Sequence, residues 1–569
     1  MPETMKKIVL YITLILSVSG LQSCLDDFLT QLPYSTSTPE TFYKTETDFE
    51  QALTGCYAVI NASSIGGASG VTTAQVALGT YNYGLFYMLD GCSDIAIAGV
   101  GSGSHYDLVR GSYQTNQAEI RAFWIAFFNG VSRCNYLLAS LDGSELTPEQ
   151  KLRFEGETRF MRAFYYLHLA QMFGGVPFYD TPEADPQAAR DNLETVYGHI
   201  IADFRFAYDN LTETGTFRSS ANKWTAGAYL ASVYNYLASC KRYGVGAKLV
   251  KLCPLNSFSW VNEEQMSRDA RDILFDVIEN SSYELVPAED YRYLFYEMSK
   301  DIQYRECLFQ SEFANNTSKA ASIYYILSPA GIDYGGSYQR IFPTMKLYKS
   351  YADKDVRRDR FITGIYNPNG KYNNVSTGVP FETVNGVKYY LPDPSSGAAS
   401  GMSYTLWATG KFRVSDPKGR TVLGIRQCEM NHPLMRMADV HLQYAEALYF
   451  CNDESGAREQ LEKVRSRVVA SDGTLENLTT TYFREDFIEE LLEERARELC
   501  FESKRKVDLI RFGKITEYIQ DLPAEGTNNL VLGVGTLKDN WREYKIWLPI
   551  PQLEIDLNTN LEQNPIYVD

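Results

Sequence analysis

Residues 156–177 read GETRFMRAFYYLHLAQMFGGVP, and the reading of this stretch decides the architecture. Apolar side chains fall at Phe160, Ala163, Phe164, Leu167 and Ala170. That spacing of three and four lays one stripe along a single helix face. Gly174 and Gly175 then stop the helix, where glycine adopts a left-handed C-cap with least strain, and Pro177 prevents its resumption. The stretch predicts a packed amphipathic helix with a sharp exit.

The same period recurs on both sides. In a first block, from about residue 47 to 286, it predicts a helix over 48–60 with Phe49, Ala52, Leu53, Cys56 and Tyr57 on its apolar face. A second helix covers 118–141 with Trp124, Phe127, Phe128, Val131 and Leu138, and others cover 193–211, 223–240 and 263–278. A second block starts near His432, where MRMADVHLQYAEALYF (435–450) keeps the helical period, and continues through 457–469 and 485–500. Paired helices of this length predict a mostly α fold, a tetratricopeptide-like helix-pair scaffold, although the strict repeat consensus is absent. Such an array curves and leaves a supported face for loops.

Between the blocks, roughly 291–431, the period disappears. Gly, Pro, Asn and Ser cluster in NPNGKYNN (367–374), in PDPSSGAASG (392–401) and around 331–337. Short alternating runs such as 387–391 predict hairpins. A second irregular stretch, 63–115, is rich in Gly and Tyr. Long irregular segments in compact proteins are commonly functional surfaces.

The N-terminus bears on the compartment. Lys6 and Lys7 precede an apolar run over 8–18 that is too short to span a bilayer comfortably, so it reads as a signal peptide over 1–23. Leu21-Gln22-Ser23-Cys24 resembles a lipobox, which would make Cys24 the lipidated first residue of the mature chain. The other reading is an ordinary signal peptide with a coincidental cysteine. Several acyl groups on one cysteine hold a protein to a membrane where a single chain does not.

Composition fits a globular body on such a tether. The chain has 569 residues, 44% hydrophobic and 22% charged, with a formal net charge of −17. Without residues 1–23, which carry Lys6, Lys7 and Glu3, 52 basic residues face 70 acidic ones. Nucleic acid and anionic membrane are therefore poor partners, because nothing offsets phosphate repulsion. Tyrosine is the outlier at 41 residues, beside 29 Phe and 6 Trp. Flat rings stack on sugar C–H faces, but they also pack helix pairs, and most belong to packing. The nine cysteines after Cys24 form no CxxC pair, and with five His and no HExxH neither a metal site nor any cofactor is supported. Those cysteines are expected to be mostly buried thiols.

Four separated motifs carry a resemblance. Glu157, Arg159, Arg162 to Tyr166 and the exit Gly174-Gly175-Val176-Pro177 form the first. Arg436, Ala438-Asp439-Val440, Tyr444 to Ala447 and Val464-Arg465 with Arg467 form the second. Glu494-Arg495, Glu498, Phe501-Glu502, Arg505, Asp508-Leu509 and Arg511-Phe512-Gly513 form the third, with Phe512 where a Trp is usual. Leu548 to Pro551, Glu554-Ile555, Gln563-Asn564-Pro565 and Tyr567 close the chain. Together they resemble the SusD/RagB family of surface lipoproteins, over nearly the whole mature chain.

The resemblance implies one SusD-like domain over 24–569: a helical part (24–290), an irregular ligand-side segment (291–431) and a C-terminal helical part with the family signature (432–569). It implies an outer-membrane, cell-surface lipoprotein anchored in lipid through Cys24, with Asp26 and Asp27 beside it as in exported members. The partner it implies is a SusC-like TonB-dependent β-barrel transporter, and the ligand a glycan or, as in RagB-type members, a peptide. Enzyme readings find little support: GxSxG and Walker motifs are absent, and 99–103 lacks a strand–helix context. A carboxylate pair for glycoside hydrolysis is a three-dimensional matter and stays a distant alternative.

The charged motif residues are expected to be structural. Glu493 with Arg497 and Glu502 with Lys506 stand at i,i+4, and Arg505, Asp508 and Arg511 would clamp helix ends. Ligand contacts are expected from rings in polar or Gly-rich loops, since Trp124, Phe164, Tyr165 and Tyr166 lie on packing stripes. That leaves Tyr81, Tyr83, His105 and Tyr106 in the first irregular region, and Trp260, Tyr334, Tyr338, Tyr404 and Trp407 further on. Asn82, Asp107 or Arg110 would read hydroxyls beside them.

Overall fold

The computed structural model describes residues 42–62, 79–98, 103–314, 324, 327, 341–364, 381–384, 386–390, 407–412, 428–522 and 535–567. Ten helices carry most of the packing. They are α1 (Glu46–Tyr57), α2 (Ala118–Ser140), α3 (Pro148–Phe173), α4 (Leu193–Asn210), α5 (Lys223–Arg242), α6 (Glu263–Asn280), α7 (Met437–Phe450), α8 (Glu454–Ser466), α9 (Phe487–Leu499) and α10 (Arg505–Arg511). From α2 to α8 each helix packs on the next in the sequence, so the array is a chain of helix pairs as the period implied. No described helix is long and apolar enough to cross a membrane.

Helix α3 holds the opening stretch. A capping box between Thr147 and Gln150, with Pro148 in the first turn, starts it well before Gly156. The expected single stripe is corrected by the structure, because no residue from Phe160 to Ala170 is left to solvent: Met161, Arg162, Tyr165, Tyr166, His168 and Leu169 are buried as well as the stripe. The reason is that α3 has neighbours on several sides. Phe160 meets Phe204 of α4 at 5.4 Å and Phe309 at 5.1 Å, while Tyr165 meets Phe127 of α2 at 5.4 Å. The polar groups on the buried faces are matched. Arg162 donates to Asp203 at 2.7 and 3.0 Å and to Asn135 Oδ1 at 3.0 Å, and Tyr57 donates to Glu157 at 2.9 Å.

At the exit, Gly174 has φ +79° and ψ −141°. Positive φ is as expected, but ψ lies outside the left-handed helical well, so this is a sharper turn than an ordinary C-cap. A Cβ here would sit 2.2 Å from Asn256 Oδ1, the atom that accepts the Gly175 N–H at 2.7 Å.

The second block opens differently from the sequence reading. Residues His432–Arg436 form a strand, and the helix begins only at Met437. This strand pairs antiparallel with Cys307–Ser311, with Gln310 opposite Pro433 and Ser311 opposite His432. All five residues of each strand are buried, and an apolar run as short as Leu434–Met435 serves a strand as well as a helix. The irregular segment also contains short helices at Lys300–Glu306, Met345–Ser350 and Arg357–Phe361, and the hairpin expected near 387 is present, with Phe381–Val384 paired to Val387–Tyr390.

The charged motifs build one buried ionic network. Arg436 donates to Glu306, Glu498 and Glu502 at 2.7–2.9 Å, and Arg465 bridges Glu490 and Glu494, both at 2.9 Å. The irregular segment is riveted to the same carboxylates. Arg357 reaches Glu494 at 2.7 Å and Glu498 at 2.9 Å, and Lys411 reaches Glu502 at 2.5 Å. Burial alone would raise the Glu498 carboxyl, but Arg436, Arg467 and Arg357 outweigh it and hold the group well below its usual range. The expected Glu493–Arg497 pair is present at 3.6 Å. The expected Glu502–Lys506 pair is not what forms. Phe501 and Ser503 take φ of +65° and +63°, which breaks the chain between α9 and α10 and turns Glu502 toward Lys411 and Arg436. Of the nine cysteines after Cys24, eight are buried and Cys451 is half-buried, all as thiols. Cys24 lies outside the described residues, as does the whole of 1–23.

Candidate ligand-binding face

The two irregular regions meet through a strand pair. Ala96–Ala98 runs antiparallel to Ile341–Pro343, with Ile97 opposite Phe342. Thr344 extends the seam: its N–H donates to the Ile95 carbonyl at 3.1 Å and its hydroxyl to the Asp94 carbonyl at 2.7 Å. Asp94 in turn accepts from Arg505 at 2.7 and 2.9 Å, so the seam is anchored in the signature itself. A second pair, Ile362–Gly364 with Trp407–Thr409, packs beside Ile341–Pro343 and sets Trp407 opposite Gly364.

Beside the seam lies a run of rings. Tyr83 is 5.7 Å from Tyr87, Tyr87 is 5.1 Å from His105, and His105 is 4.4 Å from Tyr106 between ring centroids. The Arg110 guanidinium stands over the Tyr106 ring at 5.3 Å. The short helix His105–Arg110 holds this group and ends at Gly111, whose φ of +69° is left-handed. The turn before it is fastened to α2, because Ser104 donates to Glu119 at 2.6 Å and Gln117 donates to the Ser104 carbonyl at 2.8 Å.

The rings differ in how open they are. Tyr83 and His105 are half-buried, whereas Tyr106 is buried, and Asp107 is more open than its neighbour Arg110. Tyr81 is a different case from the loop ring expected. It is only 4% exposed, and its hydroxyl lies 2.8 Å from His168 Nε2. His168 Nδ1 lies 2.9 Å from the Phe164 carbonyl, which can only accept, so Nδ1 carries the proton and Nε2 accepts from Tyr81. Burial pushes the His168 imidazole down to about 4, which keeps it neutral. Tyr81 thus pins the loop to α3 with its ring enclosed. Asn82 is also buried and donates to the Asn61 carbonyl at 3.2 Å. Both are corrected as groups facing a ligand: the chain around them turns inward to close the core.

Trp260 is half-buried in the loop between α5 and α6, with its indole N–H donated to the Ser257 carbonyl at 2.9 Å. No ring contact among the described residues joins it to the Tyr83–Tyr106 group. Tyr334, Tyr338 and Tyr404 lie outside the described residues. The structure therefore brings together Tyr83, His105, Tyr106, Asp107 and Arg110, and sets the backbone of Trp407 in the strand pair next to the seam. Sequence reasoning passed over Tyr87, which sits between Tyr83 and His105. It is fully buried in the apolar run Leu85–Leu89, so it reads as core, yet it is the ring that couples its two half-open neighbours.

The chemistry available here is that of binding. Aromatic faces, an imidazole, a guanidinium and a carboxylate offer stacking and hydroxyl recognition. Among the described residues no group of His, Cys, Asp and Glu could hold a metal ion. The carboxylates of the signature motifs are held by arginines and lysines in the network.

Comparison with known proteins places this arrangement. The model of the SusD family matches residues 305–567, and a second, described as starch-binding associating with outer membrane, matches 27–235. SusD-like protein P2 of Formosa agariphila is 24% identical over 97% of this chain and 98% of its own length. Among solved structures, a SusD homolog from Bacteroides thetaiotaomicron superposes with a TM-score of 0.69 at 19% identity, over 93% of this chain and 98% of that one. A laminarin-binding SusD-like protein does so with a TM-score of 0.64 at 21% identity, over 92% of this chain and all of the other. With the helix-pair array, two family matches that together cover most of the chain and relatives that align end to end, the chain belongs to the SusD family.

Proposed function

We propose that this protein is a cell-surface lipoprotein that binds oligosaccharides or polysaccharides without cleaving them. Tethered through Cys24 to outer-membrane lipid, it passes its ligand to a SusC-like TonB-dependent β-barrel transporter. The observation that carries the reading is the seam between Ala96–Ala98 and Ile341–Pro343, which joins both irregular regions into one face bearing the half-buried Tyr83 and His105, with Tyr106 packed behind them. Starch and laminarin, named for the matching family model and for one structural neighbour, are both neutral glucans, and a ring-lined face without a surplus of charge suits such ligands. The protein sits as a lid on that barrel, loading ligand when open and delivering it when closed.

The experiment is affinity electrophoresis and calorimetry of the mature protein against a panel of neutral and acidic polysaccharides and a peptide pool. Retardation by a polysaccharide, without release of reducing ends from it, supports the reading. Binding of peptides alone would move the assignment to a peptide-capturing member, and hydrolysis of the bound glycan would make it an enzyme. Co-purification of a β-barrel transporter from native membrane tests the partnership separately.

A further inference from the structure

Glu119, the second residue of α2, is wholly buried, yet no Lys or Arg among the described residues comes within ion-pair distance of it. In this it differs from the network carboxylates Glu306, Glu490, Glu494, Glu498 and Glu502, each of which is held by at least one guanidinium. Its side-chain donors are neutral: Ser104 Oγ donates to Oε1 at 2.6 Å and Gln117 Nε2 donates to Oε2. The compensation at hand is the positive end of the 23-residue helix α2, whose first-turn N–H groups have no carbonyl partner within the helix. A buried carboxylate is costly to hold without a cation, and local rules are broken in this way chiefly at functional sites.

Ser104 breaks a second rule. It stands at the N-cap of the short helix His105–Arg110, where a serine hydroxyl ordinarily accepts from N–H groups of its own helix. Here its backbone is helical, with φ −55° and ψ −31°, and its side chain makes no cap bond. The hydroxyl is given to Glu119 instead, while the Ser104 carbonyl accepts from Gln117 Nε2 at 2.8 Å. The start of α2 thus grips Ser104 by both side chain and backbone. The next residue is His105, whose imidazole lies so close over Gly103 that a Cβ there would stand 2.3 Å from Cε1. The ring therefore packs on bare backbone at Gly103 as well as against Tyr87 and Tyr106, at 5.1 and 4.4 Å between centroids.

We infer that Glu119 is a positioning residue: acting through Ser104, it sets where His105 stands on the ligand face, an inference that rests on the reading of Tyr83 and His105 as that face. Glu119 is itself too buried to touch a ligand. The imidazole is held, one residue away, by a charge-assisted hydrogen bond of the kind that is shorter and stronger than a neutral one.

The test reads His105 directly in the intact mature protein, by its rate of modification with diethyl pyrocarbonate, followed peptide by peptide in mass spectrometry. The reaction is run at about pH 8, where an ordinary imidazole is neutral, and exposed His199 on α4 is the internal reference. Glu119→Ala should raise the His105 rate relative to His199 by about threefold or more, because losing a charged hydrogen bond lets the turn open locally. Ser104→Ala cuts the same bond from an exposed position and should do the same, and the double variant should add little to either. An unchanged His105 rate in Ser104→Ala, or a rise shared by the buried His168 and His441, would overturn the inference. If Glu119→Ala fails to fold, Ser104→Ala decides. Calorimetry with laminarin is the second readout. Glu119→Ala should bind it several-fold more weakly than the parent, and Glu119→Ala combined with His105→Ala no more weakly than His105→Ala alone, because both losses pass through one ring. Additive losses would contradict the positioning. Laminarin that binds equally well without the His105 ring would fail the reading of the face instead, and the reactivity measurement, which needs no ligand, decides the part of Glu119 in every case.

Discussion

Arg357 Nη1 lies 2.7 Å from Glu494 Oε1 with both side chains fully buried, and this pair ties the irregular segment to the heart of the family signature. Arg357 also reaches Asp355 and Glu498, so one guanidinium meets three carboxylates of the network. Removing one partner of a buried ionic group leaves the others uncompensated, at a cost of about 3–5 kcal/mol. Arg357→Met should therefore lower stability by that order, read by chemical denaturation. Arg218→Met, at an ion pair with Asp301 that is mostly in solvent, should change it by no more than about 0.5 kcal/mol. Equal effects at the two sites would contradict the network's role.

Gly174 makes a second, backbone-level prediction. Its φ of +79° is strained for any side chain, and a Cβ would displace Asn256 from its bond to the Gly175 N–H. Gly174→Ala should destabilise the protein by about 2–4 kcal/mol. A variant of unchanged stability would mean that the exit loop relaxes freely.

The pH dependence of stability should carry the mark of Glu157. Burial pushes its carboxyl up to about 7, against the hydrogen bond from Tyr57 and the nearby Arg153. Because the folded state holds this proton more tightly than the unfolded chain does, the contribution is stabilising at low pH and is lost as pH rises from about 4.5 to 7. Glu157→Gln keeps an acceptor for Tyr57 and does not titrate. Its stability relative to the parent should rise between pH 5 and pH 8 by on the order of 1–3 kcal/mol. A flat difference across that window would show that Glu157 is ionised throughout.

The location is tested at Cys24. Cys24→Ala should release the protein from outer membrane in cells lacking the partner transporter, with its fold unchanged by circular dichroism. Continued membrane association of the variant would remove the lipid anchor from the account.

Much of this fold was legible in the sequence because helix packing leaves a period of 3.6, and the helices around Trp124, Phe164 and Val277 fall where the apolar spacing puts them. What the period could not report was how many neighbours a helix has. Arg162 and His168 look like an outer face and are buried because α1, α2 and α4 pack around α3. Nor could spacing foresee that positive φ at Phe501 and Ser503 would redirect Glu502 from Lys506 to Arg436. At the site, loop composition brought out Tyr83, His105 and Tyr106, which do come together. It could not separate Tyr81 from them, because only the tertiary contact with His168 closes that ring.

The central claim is that the face carrying Tyr83 and His105, with Trp407 beside it, binds glycan. The most direct measurement is calorimetric affinity of the parent and of a Tyr83→Ala, His105→Ala, Trp407→Ala triple variant for the polysaccharide that the panel identifies. Each ring that stacks on sugar should contribute about 1 kcal/mol, so the triple variant should bind at least tenfold more weakly while its unfolding midpoint stays within a few degrees. A stable triple variant with the parent's full affinity would place the ligand on another surface and contradict the account.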